Sequence, residues 1–151
     1  LKKILILGIG NYLMGDEGLG VHFAQMLEKE QLPHGVDVID GGTGGFHLTN
    51  FFEAYPTVIL VDATLDGQPP GTIRLLEPKF SKDYPKAMST HDIGMKDLIE
   101  ALIFMGTIPK IYLFAVSIET LQQQQVTLSE QIEGVLPKLK MEVLELVEKL
   151  L

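Results

Sequence analysis

Lys3-Ile4-Leu5-Ile6-Leu7-Gly8-Ile9, running straight into Gly10-Asn11, decides the fold. Its side chains are apolar almost without interruption, so neither face of the segment suits water. A strand of that kind belongs inside a parallel sheet covered on both sides. Four further runs share the pattern, at residues 36–40, 57–62, 72–76 and 111–116, and each gives way to a turn containing Gly or Asp.

Between most of these runs the apolar period becomes that of a helix. Residues 17–31 place Val21, Ala24 and Leu27 on one face and stop ahead of Pro33, and a second helix over 46–54 stops before Pro56. A third is predicted over about 90–105, with Ile93, Leu98, Ala101, Leu102 and Met105 as its stripe. Ser89 and Asp92 supply its capping box and Gly106 its stop. The last, from about 129 to 150, carries Leu136, Leu139, Val143, Leu146 and Leu150, and Pro137 kinks or restarts it.

This alternation predicts one α/β domain over residues 1–151: three layers, with a mostly parallel, twisted, five-stranded sheet and helices on both faces. One connection differs. Only nine residues, 63–71, separate the third and fourth strands, whereas a parallel crossover needs about a dozen or more. The segment from Thr72 to Leu76 is therefore expected as an antiparallel edge strand.

The totals narrow the function. A chain of 151 residues, 46% hydrophobic, builds a core without disulfides, and with no cysteine it has neither thiolate metal ligands nor a Cys nucleophile. A cytoplasmic location is expected. No apolar run reaches the roughly 18 residues that span a bilayer, and the opening run reads as a strand rather than a signal peptide. With 12 basic and 20 acidic residues, the net charge of −8 disfavours nucleic acid and anionic membranes as partners.

Ligands of open α/β sheets bind beyond the carboxyl ends of the strands, where strand order reverses. Those ends carry Gly8-Ile9-Gly10-Asn11, Asp40-Gly41-Gly42-Thr43-Gly44-Gly45, Asp62-Ala63 and Ser117-Ile118-Glu119. Gly8-x-Gly10 suggests a dinucleotide turn, but position 13 is Leu13, and Asp16 and Glu17 would aim negative charge at a phosphate. Asp16 is expected to cap the first helix. Glu17 either complements the helix dipole or serves as a carboxylate metal ligand, and the two roles are compatible. Asp62 is either a turn aspartate or a group at the ligand crevice. His91 lies near an expected helix start, while His22, His34 and His47 have no comparable acidic company and read as structural. Two carboxylates and an imidazole would suit a divalent ion with open positions.

Taken together, these segments resemble the hydrogenase maturation endopeptidases, which trim the C-terminal extension from the large subunit of nickel–iron hydrogenases. The resemblance covers essentially the whole chain. Its most specific part is Ile6-Leu7-Gly8-Ile9-Gly10-Asn11-Tyr12-Leu13-Met14-Gly15-Asp16-Glu17-Gly18-Leu19-Gly20. The Asp40–Gly45 turn, Val61-Asp62-Ala63 and Ser89-Thr90-His91-Asp92-Ile93-Gly94-Met95 follow in the family's order. The histidine segment usually continues into Gly-Leu; Gly94-Met95 here conserves volume.

The resemblance implies metal ligation by Glu17, Asp62 and His91. It also implies nickel delivered on the substrate, a large-subunit precursor. No tightly bound cofactor is expected in the resting enzyme, and monomer is the default state. Asp16 and Asp40 are the candidate general bases. Two other readings stay open: a non-catalytic, nickel-sensing or chaperone-like binder of the precursor, and a nucleotide-binding oxidoreductase domain.

Overall fold

The computed structural model describes residues 3–79, 95–119 and 123–151. Five strands form one sheet: β1 (Ile4–Gly8), β2 (Val36–Asp40), β3 (Thr57–Thr64), β4 (Ile73–Leu76) and β5 (Lys110–Ser117). Their order is β2-β1-β3-β5-β4. All pairs are parallel except β4 with β5, where Ile73 lies opposite Val116 and Leu76 opposite Leu113. The short 63–71 link thus feeds an antiparallel edge strand, as chain reach requires.

Helices α1 (Leu19–Leu27), α2 (Thr49–Ala54), α3 (Met95–Met105), α4 (Glu130–Glu133) and α5 (Leu136–Leu150) cover the sheet. Successive strand residues point to opposite faces, and two cores result. Ile4, Ile6, Ile59, Val61, Phe114 and Val116 pack against Phe23 and Leu27 of α1 and Leu139 and Val143 of α5. Leu5, Leu7, Val58, Leu60, Leu113 and Ala115 pack against Phe52 of α2 and Leu98, Ile99 and Leu102 of α3. Every residue of β1 is buried, which is why its sequence does not alternate.

The helix boundaries differ from those the sequence predicts, for local reasons. The first helix begins at Leu19 rather than residue 17, because Gly15–Gly18 forms a 3-10 turn that Gly15 enters at a φ of 55°. It ends at Leu27, short of residue 31. The single last helix is two: α4, capped by Ser129, and α5, which restarts with Pro137 in its first turn, where a missing N–H costs nothing. Gly106 does stop α3. The amide of Thr107 reaches the carbonyl of Leu102 and that of Gly106 the carbonyl of Ile103, closing a Schellman motif. Met105, expected on the apolar stripe, is 51% exposed. The Ser89–Asp92 capping box lies outside the described residues.

Candidate functional site at the sheet's carboxyl edge

Chain order places the functional edge. From β1 the chain crosses through α1 to β2 on one side, then returns through α2 to β3 on the other. The crevice where the order reverses therefore opens beyond the ends of β1 and β3. Register sets Asp40 beside Gly8 and Gly8 beside Val61. At about 4.8 Å per strand spacing, Asp40 and Val61 are roughly 10 Å apart at the backbone, and Asp62 follows Val61.

The glycines let backbone segments meet. A Cβ on Gly8 would lie 2.0 Å from the carbonyl oxygen of Gly20, and one on Gly20 would lie 2.1 Å from that of Ile9 and 2.4 Å from that of Val61. A Cβ on Gly10 would strike the carbonyl of Glu17 at 2.3 Å. The first helix is thus drawn against the ends of β1 and β3. Main-chain bonds complete the packing: Ile9 to Val61, Gly41 to Gly8 and Gly10 to Gly42, at 2.8–2.9 Å.

Asp16 and Glu17 sit in the 3-10 turn, which packs on β3, and are 5% and 8% exposed. The Glu17 backbone is fixed at both ends, its amide donating to Met14 and its carbonyl accepting from Asn11, each at 3.1 Å. Asp16 does not cap the first helix. The N-cap of α1 is Gly18, with no side-chain bond. The Asp16 carboxylate instead accepts the amide of Ser129 at 2.7 Å on one oxygen and its hydroxyl at 2.8 Å on the other. Ser129 in turn accepts the amide of Ile132 at 3.3 Å. In the sequence, Ser129 shows only as a helix start. A contact 113 positions away leaves no local spacing signal.

Asp62 is half-buried in the last turn-ward part of β3 and accepts the amide of Ala63 at 2.8 Å. Asp40 is exposed; one oxygen accepts the Gly42 amide at 2.9 Å and the other the Gln25 side-chain amide at 3.5 Å. His91 lies outside the described residues, and among the described residues no three acidic or imidazole side chains form a metal cluster. His22, read as structural, stacks on Tyr12 with ring centroids 4.8 Å apart.

Beyond β3, Asp66 organises the link to β4. It accepts the Ser117 hydroxyl at 2.8 Å and the Gln68 amide at 3.0 Å, and Arg74 stands 2.9 Å from its second oxygen at an angle outside hydrogen-bond geometry. Burial pushes this carboxyl up, but the Gln68, Ser117 and Arg74 interactions outweigh it, and its pKa falls below the ordinary 3.8. The same edge is rimmed by exposed apolar side chains, Tyr12, Leu13, Phe46, Leu65 and Val126, one or more from each neighbouring loop.

An open, doubly wound α/β domain with buried acids at its switch crevice and an apolar rim is the class that fold and site define. A family model described as hydrogenase maturation protease matches residues 21–146. The chain belongs to the hydrogenase maturation protease family.

Among curated relatives, the hydrogenase 2 maturation protease of Escherichia coli K12 is 35% identical over 111 residues, covering 72% of this chain and 68% of that protein. The hydrogenase expression/formation protein HupD of Rhizobium leguminosarum bv. viciae is 39% identical over 113 residues, covering 72% of this chain and 55% of that protein. The chain spans 55%, 66% and 58% of the length of three such relatives. The solved structure of the hydrogenase-maturating endopeptidase HybD from Escherichia coli superposes with a TM-score of 0.86 at 31% identity, covering 97% of this chain and 93% of that one. A hydrogenase 2 maturation peptidase from a Thaumarchaeota archaeon gives 0.75 at 27% identity, covering 97% and 99%.

Proposed function

We propose that this chain is an endopeptidase that removes the C-terminal extension of a nickel-loaded hydrogenase large-subunit precursor in the cytoplasm. The observation that carries the reading is the buried Asp16-Glu17 turn packed on β3, the strand that carries Asp62 near its carboxyl end. Glu17 and Asp62, with His91, are the groups assigned to the metal. The nickel arrives on the precursor, and three protein ligands leave positions open for the substrate's own. Once shared, such an ion polarises the scissile carbonyl or activates a water. Water attack without a covalent intermediate is favoured, since no Ser–His or Cys–His pair was found in the sequence.

Of the two candidate bases, Asp40 is the better one. Asp16 is buried and both its oxygens accept from Ser129 at 2.7–2.8 Å, whereas Asp40 is exposed at the same edge and one of its two contacts, with Gln25, is long at 3.5 Å. The apolar rim supports a protein substrate over a nucleotide, because exposed apolar patches around a crevice mark protein contacts. Close backbone packing already accounts for Gly8 and Gly10, so a phosphate is not needed to explain them.

A gel-shift assay on precursor with and without nickel tests the reading. The expected result is a shortened large subunit only when nickel is loaded. A complex that forms without shortening would favour the non-catalytic binder. Thermal protection by NAD, with no effect on precursor, would favour the oxidoreductase.

A further inference from the structure

We infer that Asp16 and Ser129 form a positioning pair that fixes the orientation of the Glu17 carboxylate, and so ties metal affinity to the 123–129 segment. The inference rests on Glu17 being a metal ligand.

The 3-10 turn holding Glu17 spans four residues, Gly15–Gly18. At three residues per turn, neighbouring side chains diverge by about 120°, so any rotation of the turn about its axis swings Glu17 away from its setting. The main-chain bonds of Glu17 to Met14 and Asn11 close the turn on its own loop, and one further bond to the 129 segment would leave its tilt against that segment free. Two bonds from one carboxylate to one residue restrain it, as bidentate contacts do. Asp16 makes such a pair with the amide and hydroxyl of Ser129.

The anchor is itself held. Ser129 caps α4 through Ile132, and Ile132, 1% exposed, is seated in the core under α5. Upstream, Gln125 exchanges main-chain bonds with the metal-side loop: its amide donates to Leu13 and its carbonyl accepts from Gly15, both at 2.9 Å. Residues 125 and 129 therefore grip the loop on either side of Met14, and the turn carrying Glu17 is held by chain that arrives from more than a hundred positions away.

Asp16 touches neither the metal nor the substrate in this account; it acts through Glu17. Outer-sphere partners of this kind change metal affinity by about 10–100-fold when removed.

The test is a calorimetric titration of Ni2+ alone into the whole chain and its variants, with thermal unfolding of each. Asp16→Asn and Ser129→Ala are expected to weaken Ni2+ binding roughly tenfold. Ser129→Thr, which keeps both donors, is expected to stay within about twofold of the original. The double variant Asp16→Asn/Ser129→Ala is expected to be no weaker than Asp16→Asn, because both changes break one contact. Lowered unfolding temperatures with unchanged Ni2+ affinity, while Glu17→Gln abolishes binding, would reduce the pair to a fold-stabilising contact and overturn the inference. Binding unaffected by Glu17→Gln would remove the metal reading itself, and the inference with it.

Discussion

Gly8 and Gly20 lie so close that a methyl group on Gly8 would enter the carbonyl oxygen of Gly20, at 2.0 Å. That closeness brings the first helix, and the turn ahead of it, down onto the ends of β1 and β3. The glycines preceding the acids therefore have a structural reason, and it differs from the phosphate cradle that Gly-x-Gly first suggests.

Gly20→Ala is expected to cost about 3 kcal/mol or more, since the intruding methyl meets backbone that cannot repack. Gly42→Ala provides the contrast. Gly42 has a φ of 57° but nothing within 4 Å of the added carbon, so only the left-handed backbone penalty of about 1–2 kcal/mol applies. Urea unfolding of both variants checks the ranking; equal losses would contradict it.

Asp66 predicts an acid limb. Its pKa is held below 3.8 in the folded chain. The folded state thus resists protonation, and its contribution is complete above 3.8 and lost as pH falls through the lowered value. Urea midpoints at successively lower pH should fall less steeply for Asp66→Asn than for the original chain. Parallel curves would contradict the assignment.

Tyr55 predicts an alkaline limb. Burial first, then the bond to Asp37 at 2.5 Å and that residue's charge, push its phenol from 10.0 up to about 12. The folded chain holds this proton more tightly than the unfolded one. Its contribution is therefore complete below pH 10 and disappears as pH rises toward about 12. Tyr55→Phe is expected to cost about 1–2 kcal/mol at neutral pH and to remove this part of the alkaline loss. Unfolding monitored across that window measures both.

Much of this architecture was legible in the sequence because burial on two faces erases alternation, as in β1, and because nine residues cannot cross a sheet, as in the link to β4. Gly106 was legible because a helix stop is a local device. What escaped depended on distance. The start of α1 differs because Gly15–Gly18 closes as a 3-10 turn and Asp16 accepts from Ser129, 113 positions away. The split between α4 and α5 hides under a continuous apolar period. Met105 fits its stripe by spacing yet falls beyond the edge of the core. Asp40 and Asp62 follow from the strand-end rule alone, while their hydrogen-bond partners, and the 3-10 turn that carries Glu17, show only in the structure.

The most direct test of the central claim is processing of nickel-loaded precursor by Glu17→Gln, Asp62→Asn and His91→Ala, each checked for an unchanged circular dichroism spectrum. All three variants are expected to fold, and none to shorten the large subunit. Normal shortening by any two of them would contradict that claim.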